Sequence, residues 1–381
     1  MTVSKTKKTI MVVCAEKSGD LLGANLIESL KKEMPNHELE FIGVGGSAMV
    51  KSGLKTIFPM EDIAVMGLFE VIPHLKVIFK RIKQTVATAL DKKVDMLVTI
   101  DGAEFAFKVA KGVKKANKDI PVVHYVSPQV WAWRQNRVYK MEKFLDHVLA
   151  LFPFEEKFYK KTNLKCTYVG HPIIERFTDM MPKSSKKSLN KTLKVAILPG
   201  SRKNELAHLL PVLGQTVVML KQRFKDIKFI LPVAEGFDKK NFDRYFSQCE
   251  YVEGDEKFKK LQQCDAAITC SGTANLELAM LGLPMVVCYK MNNLTYQIAK
   301  RVVKVKHISP VNIVADKKVA KELIQEECTA KALTRHVSPL LKETKQRHKM
   351  LEELKLVRDK MSIVEESASD KAAKVVASYL K

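Results

Sequence analysis

No apolar run in this chain approaches the roughly 20 residues needed to cross a bilayer. The N-terminal stretch MTVSKTKKTIMVVCAEKSGD ends its apolar run at Glu16, too soon for a secretory h-region, so the expectation is a soluble or peripheral protein. Cysteine is scarce and unpatterned: seven residues, an odd number with no C-x-x-C spacing. That argues against a disulfide framework or a zinc site and fits a reducing cytoplasm. There is no D-x-D carboxylate pair for a catalytic metal, and no repeat at solenoid spacing. An RNP-type aromatic motif and a dense arginine block are also missing, so neither RNA nor DNA is favoured. No metal, no cofactor and no nucleic acid are therefore expected.

What the chain does have is length and positive charge. Its 381 residues are too many for one small core and suggest two domains. A hydrophobic content of 46% supports well-buried cores. Against 42 Asp and Glu stand 65 Lys and Arg, a net charge of +23, which attracts anionic partners: nucleic acid, a membrane surface or a phosphorylated substrate. Most of the excess is lysine scattered along helices, so solvated helix faces explain it equally well.

The most informative stretch is VAILPGSRKNE, Val195 to Glu205. Four apolar residues suit a buried parallel strand, and Pro199-Gly200 break it at its carboxyl end. A helix follows, amphipathic through Leu206, Leu209, Leu210 and Leu213, with Ser201 able to cap it and Arg202 at its positive end. Free N–H groups, a glycine and an arginine fork are the parts that hold a diphosphate. An ordinary capped turn with a solvated arginine has the same residues.

βα units begin at once. Thr9 to Cys14 reads as a strand, AEKSGD as its loop and Leu21 to Lys32 as a helix, with Ser18 or Asp20 either capping or lining a cleft. Strands are expected at Glu40 to Val44, Lys55 to Phe58 and Val94 to Ile100. Between the last two, Met66, Leu68, Phe69, Ile72 and their apolar neighbours interleave with Lys76, Lys80, Arg81 and Lys83. This is either a core helix or one lying in a lipid interface. Asp101 falls at a strand's carboxyl end, where open α/β sheets bind ligands, and Glu104 follows it. Val122 to Val126 leads into HYVSPQVWAWR, where both tryptophans, Trp131 and Trp133, sit with Ser127 in one loop that reads as a binding rim.

Strands at His147 to Ala150 and Cys166 to Val169 follow, and then the polar, lysine-rich MMPKSSKKSLNK marks a linker. The second half repeats the pattern up to SGTANLELAMLGLP. There Thr273 and Glu277 share a helix face but miss the capping-box register, which suits Glu277 to a ligand such as ribose hydroxyls. Helices are expected at Lys317 to Gln325, Lys331 to Arg358 with a break near Ser338-Pro339, and Ser367 to Leu380.

The segments AEKSGDLLGANLI, EDIAVMGLFEVI, HYVSPQVWAWRQNRV, FPFEEKFY, VGHP, LPGSRKNE, SGTANLELAMLGLPMVVCYKM and KELIQEEC together resemble the lipid-A-disaccharide synthases, over about Thr9 to Cys328. The tryptophan loop combined with LPGSR and SGTANLE carries most of the specificity. The resemblance implies an α/β protein with two Rossmann-like domains of the glycosyltransferase B type facing across a cleft. Residues 1–178 would form an acceptor and lipid domain, 179–192 a linker and 193–360 the UDP-sugar donor domain. A helix in 361–381 would be free to pack back on the first domain.

The family reaction joins UDP-2,3-diacylglucosamine to 2,3-diacylglucosamine 1-phosphate, giving a β-1,6-linked disaccharide 1-phosphate and UDP. By position, the resemblance assigns Gly200, Ser201 and Arg202 to the diphosphate, and Gly272, Thr273, Glu277, Tyr289, Met291 and Asn312 to the donor. It assigns Asp101, Arg202 and Glu16 to catalysis, with Asp101 the base and Glu16 and Glu104 its competitors. Ser18, Asp20, Met66, Leu68, Phe69, Ile72, Ser127 and Trp133 go to the acceptor and its acyl chains. It further implies a cytoplasmic enzyme, peripheral on the inner membrane's cytoplasmic leaflet, and is compatible with an oligomer. One departure is notable: the family's I-D-x-P-D-F-N is IDGAEFA here, with Ala103, Glu104 and Ala106 replacing Pro, Asp and Asn. A UDP-sugar epimerase of the same architecture is the alternative.

Overall fold

In a computed structural model of the chain, the described residues are 6–63, 68–132, 135–182, 184, 188–233, 239–254, 256–303, 305–362 and 366–381. They fall into two compact units, Met1–Pro172 with Ile363–Lys381, and Ile173–Ser362. The division comes at Pro172, ahead of the lysine-rich stretch read as a linker, and Ile173–Phe177 is already helical within the second unit. No helix among the described residues is long and apolar enough to cross a membrane.

The first unit is built on β1 (Thr6–Cys14), β2 (His37–Val44), β3 (Leu54–Thr56), β4 (Met96–Ile100), β5 (Val122–Tyr125), β6 (His147–Ala150) and β7 (Lys165–Tyr168). These form one parallel sheet in the order β3-β2-β1-β4-β5-β6-β7. The apolar runs of β1, β4, β5 and β6 are covered on both faces, as parallel strands require. Strand order reverses between β1 and β4, and their register pairs Cys14 with Ile100. The loops leaving those two strands therefore open side by side at a topological switch point, the usual ligand position in such sheets.

The second unit repeats the plan with β8 (Leu193–Leu198), β9 (Ile227–Pro232), β10 (Glu250–Val252), β11 (Ala266–Cys270), β12 (Met285–Tyr289) and β13 (Lys321–Ile324), ordered β10-β9-β8-β11-β12-β13 and all parallel. Its switch point lies between β8 and β11, where Leu198 pairs with Thr269. The LPGSR and SGT turns, 70 residues apart in sequence, leave the sheet at that point.

Several elements differ from the sequence reading. The first helix, α1 (Lys17–Glu33), starts four residues early, so Ser18, Gly19 and Asp20 are helical rather than loop. Met49 packs closely over Gly23, where a Cβ would sit 2.2 Å from Met49 Sδ. Lys321–Ile324 is the edge strand β13 and not part of a helix; pairing with β12 overrides the charged composition that had suggested helicity. Helices at Asn293–Val302 and Pro310–Ala315 were not anticipated. The break near Pro339 is present, between Ala330–Val337 and Lys345–Met361. The C-terminal helix Ala368–Ala377 lies in the first unit, where Ala372, Ala373 and Val376 join the β1 core and Ser29 Oγ donates to Asp370 at 2.7 Å.

After the short helix α2 (Ser47–Lys51) comes α3 (Leu68–Asp91), which packs along α4 (Ala103–Ala116). Ile82, Thr85 and Ala89 form the buried stripe of α3, while Leu75, Val77 and Phe79 stay 37%, 38% and 50% exposed. The described part of this helix thus has a buried stripe, with Leu75 and Phe79 exposed one turn apart on one side and Val77 exposed on the other. Met66 lies outside the described residues, as do the side chains of Leu68, Phe69 and Ile72.

Candidate active site

At the first switch point, Asp101 leaves β4 with φ +50 and is followed by Gly102 at φ +47. Two successive left-handed residues turn the chain sharply into α4, and a non-glycine residue held there is strained backbone of the kind that clusters at functional sites. The Asp101 N–H is fixed by Tyr125 O at 2.9 Å, and Asp101 Oδ1 accepts from Gly102 N at 2.9 Å. Glu16 sits beside it at the start of α1, a consequence of the β1–β4 register. Partial burial, then the neighbouring Asp101 charge, hold the Glu16 carboxyl above the ordinary range. Glu104 points elsewhere: its side chain is 86% exposed and faces Arg137 Nη2 at 3.5 Å. Of the three candidate bases, Asp101 and Glu16 are together and Glu104 is apart.

Two residues expected to face the acceptor are otherwise engaged. Asp20 is buried, and its carboxylate accepts from Gly46 N, Ala48 N and Met49 N at 2.8, 2.9 and 3.0 Å. It caps α2, a distant cap that local spacing does not reveal. Ser127 is also buried, its hydroxyl 2.8 Å from Tyr159 Oη and 3.2 Å from Pro128 O. Ser18 is exposed on α1, and Trp133 lies outside the described residues.

The tryptophan loop is pinned by a residue that sequence reasoning passed over. Val126 leaves β5 at φ +79, a strained angle for a β-branched residue. Beyond it, Trp131 Nε1 donates to Glu155 Oε1 at 3.2 Å, while Leu151 N and Phe152 N donate to Oε2 at 3.1 and 3.0 Å. Despite these bonds, burial pushes the Glu155 carboxyl up to about 7. The folded protein thus holds this proton more tightly than the unfolded chain does. Stability contributed by protonated Glu155 is present below the ordinary carboxylate range and is lost as pH rises to about 7, a change of about 3 kcal/mol. Denaturant midpoints measured from pH 4.5 to 8 should therefore fall in the wild type relative to Glu155→Gln; parallel profiles would exclude the assignment.

At the second switch point, β8 ends in Pro199-Gly200, with Gly200 at φ +97, and the helix Lys203–Arg223 follows. Arg202, not Ser201, occupies the N-cap position, and its side chain makes no cap hydrogen bond. Ser201 and Arg202 are both exposed. Arg202 Nη1 donates to Glu205 Oε1 at 3.0 Å, and Tyr289 Oη donates to the same oxygen at 3.4 Å. This buried acid was not among the expected site residues. The only signal for it was its i,i+3 spacing from Arg202.

The neighbouring turn is tied down by Asn275, whose Nδ2 donates to Cys270 O at 2.9 Å and Thr269 Oγ1 at 3.2 Å, and by Ser271 Oγ donating to Ile308 O at 2.8 Å. Thr273 is the N-cap of the helix Ala274–Met280, and Glu277 lies 3.8 Å from Arg176 Nη1. A Cβ at Gly272 would meet no described atom within 4 Å, so packing does not require glycine there.

Asn312 differs from expectation. Its Nδ2 donates to Ala320 O and Glu322 Oε1, and its Oδ1 accepts from Val319 N and Ala320 N, all within 2.9 Å. With both donors and both acceptor positions filled, this buried side chain fastens the helix Pro310–Ala315 to β13 and has nothing left for a ligand. Met291 is clamped by Gln325, which bonds its N at 2.7 Å and its O at 3.0 Å. Among the described residues, no group of three or more His, Cys, Asp or Glu is placed to hold a metal ion.

Two parallel-sheet units, each with charged or glycine-bearing loops at its switch point, define the glycosyltransferase B class of α/β protein. Two solved structures show the likeness in fold. The Staphylococcus aureus MnaA–UDP co-structure aligns with a TM-score of 0.61 at 14% identity, covering 98% of this chain and 97% of that one. Acinetobacter baumannii MurG aligns at 0.60 and 12%, covering 98% and 99%. Sequence resolves the class further. The lipid-A-disaccharide synthetase family model matches residues 10–376, and the chain belongs to that family. The lipid-A-disaccharide synthase of Haemophilus influenzae is 36% identical over 397 residues, covering 100% of this chain and 99% of that one. That of Histophilus somni is 39% identical over 353 residues, covering 90% and 89%.

Proposed function

We propose that the chain transfers the diacylglucosamine unit of UDP-2,3-diacylglucosamine to 2,3-diacylglucosamine 1-phosphate, forming the β-1,6-linked lipid A disaccharide 1-phosphate and UDP. Family membership supports the reaction. The observation that carries the assignment of roles is the turn after β8. There an exposed arginine, anchored by a buried acid, stands at the amino end of a long helix beside an unfilled glycine turn. The helix end and Arg202 attract a diphosphate and offset the charge that develops on it as the glycosidic bond breaks. Ser201, Gly272, Thr273, Glu277, Tyr289 and the Met291 segment complete the donor side.

Asp101 serves as the base that takes the proton from the acceptor hydroxyl as that oxygen attacks the anomeric carbon from the face opposite UDP, inverting it. Glu16, held protonated to higher pH than an ordinary carboxyl, is the competitor for that role. An epimerase reading leaves the clamped tryptophan loop and the family match without a purpose.

The acylated substrates place the enzyme at the inner membrane's cytoplasmic leaflet, peripherally. Support comes from the exposed Leu75, Val77 and Phe79 of α3 and from the net charge of +23. Changing Leu68 and Phe69 together to Ser should weaken binding to anionic vesicles and raise the apparent KM for both acylated sugars, with UDP affinity unchanged. Normal vesicle binding by the folded variant would remove α3 from the membrane contact. The reaction itself is tested by whether UDP appears only when both acylated sugars are supplied.

A further inference from the structure

We propose that Glu205 is a positioning residue of the donor site: seated beneath the Gly200 turn, its carboxylate fixes one amino group of Arg202 and the Tyr289 hydroxyl so that the remaining guanidinium N–H groups face the diphosphate. The inference rests on the reading of Arg202 as the diphosphate ligand.

The asymmetry of the pair carries the argument. An exposed i,i+3 ion pair holds nothing in place, because both side chains move and water screens them. Here Glu205 keeps 9% of its side-chain surface and Arg202 80%. The acid is therefore locked in the protein while the base projects outward. A buried carboxylate left without its partner is strongly unfavourable, so Glu205 holds Arg202 more firmly than Arg202 holds itself. The pairing in turn raises the Arg202 pKa. Among the described residues only Nη1 is used, at 3.0 Å, and a guanidinium has five N–H donors in a rigid plane. Fixing one corner of that plane orients the rest.

Gly200 makes the seat. At φ +97 it avoids the Cβ that would lie 2.9 Å from Glu205 Oε2 and 3.3 Å from Cys270 Sγ. The glycine of LPGSR thus serves an internal acid as well as any ligand. Tyr289 Oη, 3.4 Å from Glu205 Oε1, links the turn after β8 to the end of β12. One acid thereby sets two residues assigned to the donor.

The test is a double-mutant cycle on the full-length protein, with UDP as the titrant and donor and acceptor KM measured alongside. Glu205→Gln should weaken UDP binding about tenfold and raise the donor KM, with the acceptor KM unchanged. Arg202→Ala should weaken UDP binding more, and adding Glu205→Gln to it should cost little further, because the acid acts through the arginine. A purely structural role would give additive losses in both substrates.

If Glu205→Gln binds UDP as the wild type does or more tightly, the carboxylate is a bystander or a competitor of the diphosphate, and the inference fails alone. If Arg202→Ala binds UDP normally, the diphosphate reading fails and takes the inference with it. Glu205→Asp, which keeps the charge but withdraws it from Nη1, should show the same pattern in reduced form. It decides the matter should Glu205→Gln not fold.

Discussion

Replacing Asp101 by Asn should lower turnover roughly a hundred- to ten-thousandfold while leaving UDP affinity close to that of the wild type. The amide keeps the side chain's size, and its oxygen can still accept the Gly102 N–H bond that Asp101 Oδ1 accepts at 2.9 Å. The left-handed turn at φ +50 should therefore survive. What is lost is the ability to take a proton. A base works only when ionised, so wild-type activity should fall toward low pH and the variant should lack that limb.

Glu16 provides the internal control. Its carboxyl is raised by burial and by the Asp101 charge, so a reaction run on Glu16 would lose activity at a higher pH than an ordinary carboxylate dictates. Removing the Asp101 charge would also shift that limb downward. If Asp101→Asn stays within a few-fold of wild type and Glu16→Gln does not, Glu16 is the base. A loss of donor affinity in Asp101→Asn would assign it to positioning instead.

Arg202→Ala should reduce kcat/KM by a hundredfold or more, with both UDP affinity and turnover affected. The side chain is mostly exposed and its hydrogen bond is to Glu205, so its removal should have little effect on packing. Any loss of stability should come from the buried Glu205 carboxylate, left among the described residues with the Tyr289 hydroxyl. Comparing UDP with uridine separates the roles: the variant should lose affinity for the diphosphate and not for the nucleoside. Wild-type kinetics in Arg202→Ala would end the assignment.

The sheets were legible in the sequence because buried parallel strands appear as short apolar runs broken by glycine, and LPGSR and SGT sit where such runs end. The resemblance then supplied the chemistry at Asp101 and Arg202. What escaped was long-range polar bonding. Asp20 caps a helix 26 residues away, Asn312 spends its amide on β13, and Ser127 turns inward to Tyr159. In each case a polar residue suited to a ligand is consumed by backbone or side-chain groups brought in by the fold. Glu205, Glu155 and Gln325 escaped for the converse reason, since each looks like a solvated residue until the backbone closes over it. Lys321–Ile324 was misread because an edge strand of four residues has too little pattern to outweigh its charges.

The central claim is that this chain moves a sugar between two acylated partners. The most direct measurement is the time course of UDP and of disaccharide 1-phosphate when purified protein is given UDP-2,3-diacylglucosamine and 2,3-diacylglucosamine 1-phosphate, together and singly. The account predicts the two products in equal amounts, and none of either when one sugar is left out. Release of UDP from the donor alone, or conversion of a UDP-sugar to its epimer with no disaccharide formed, would contradict it.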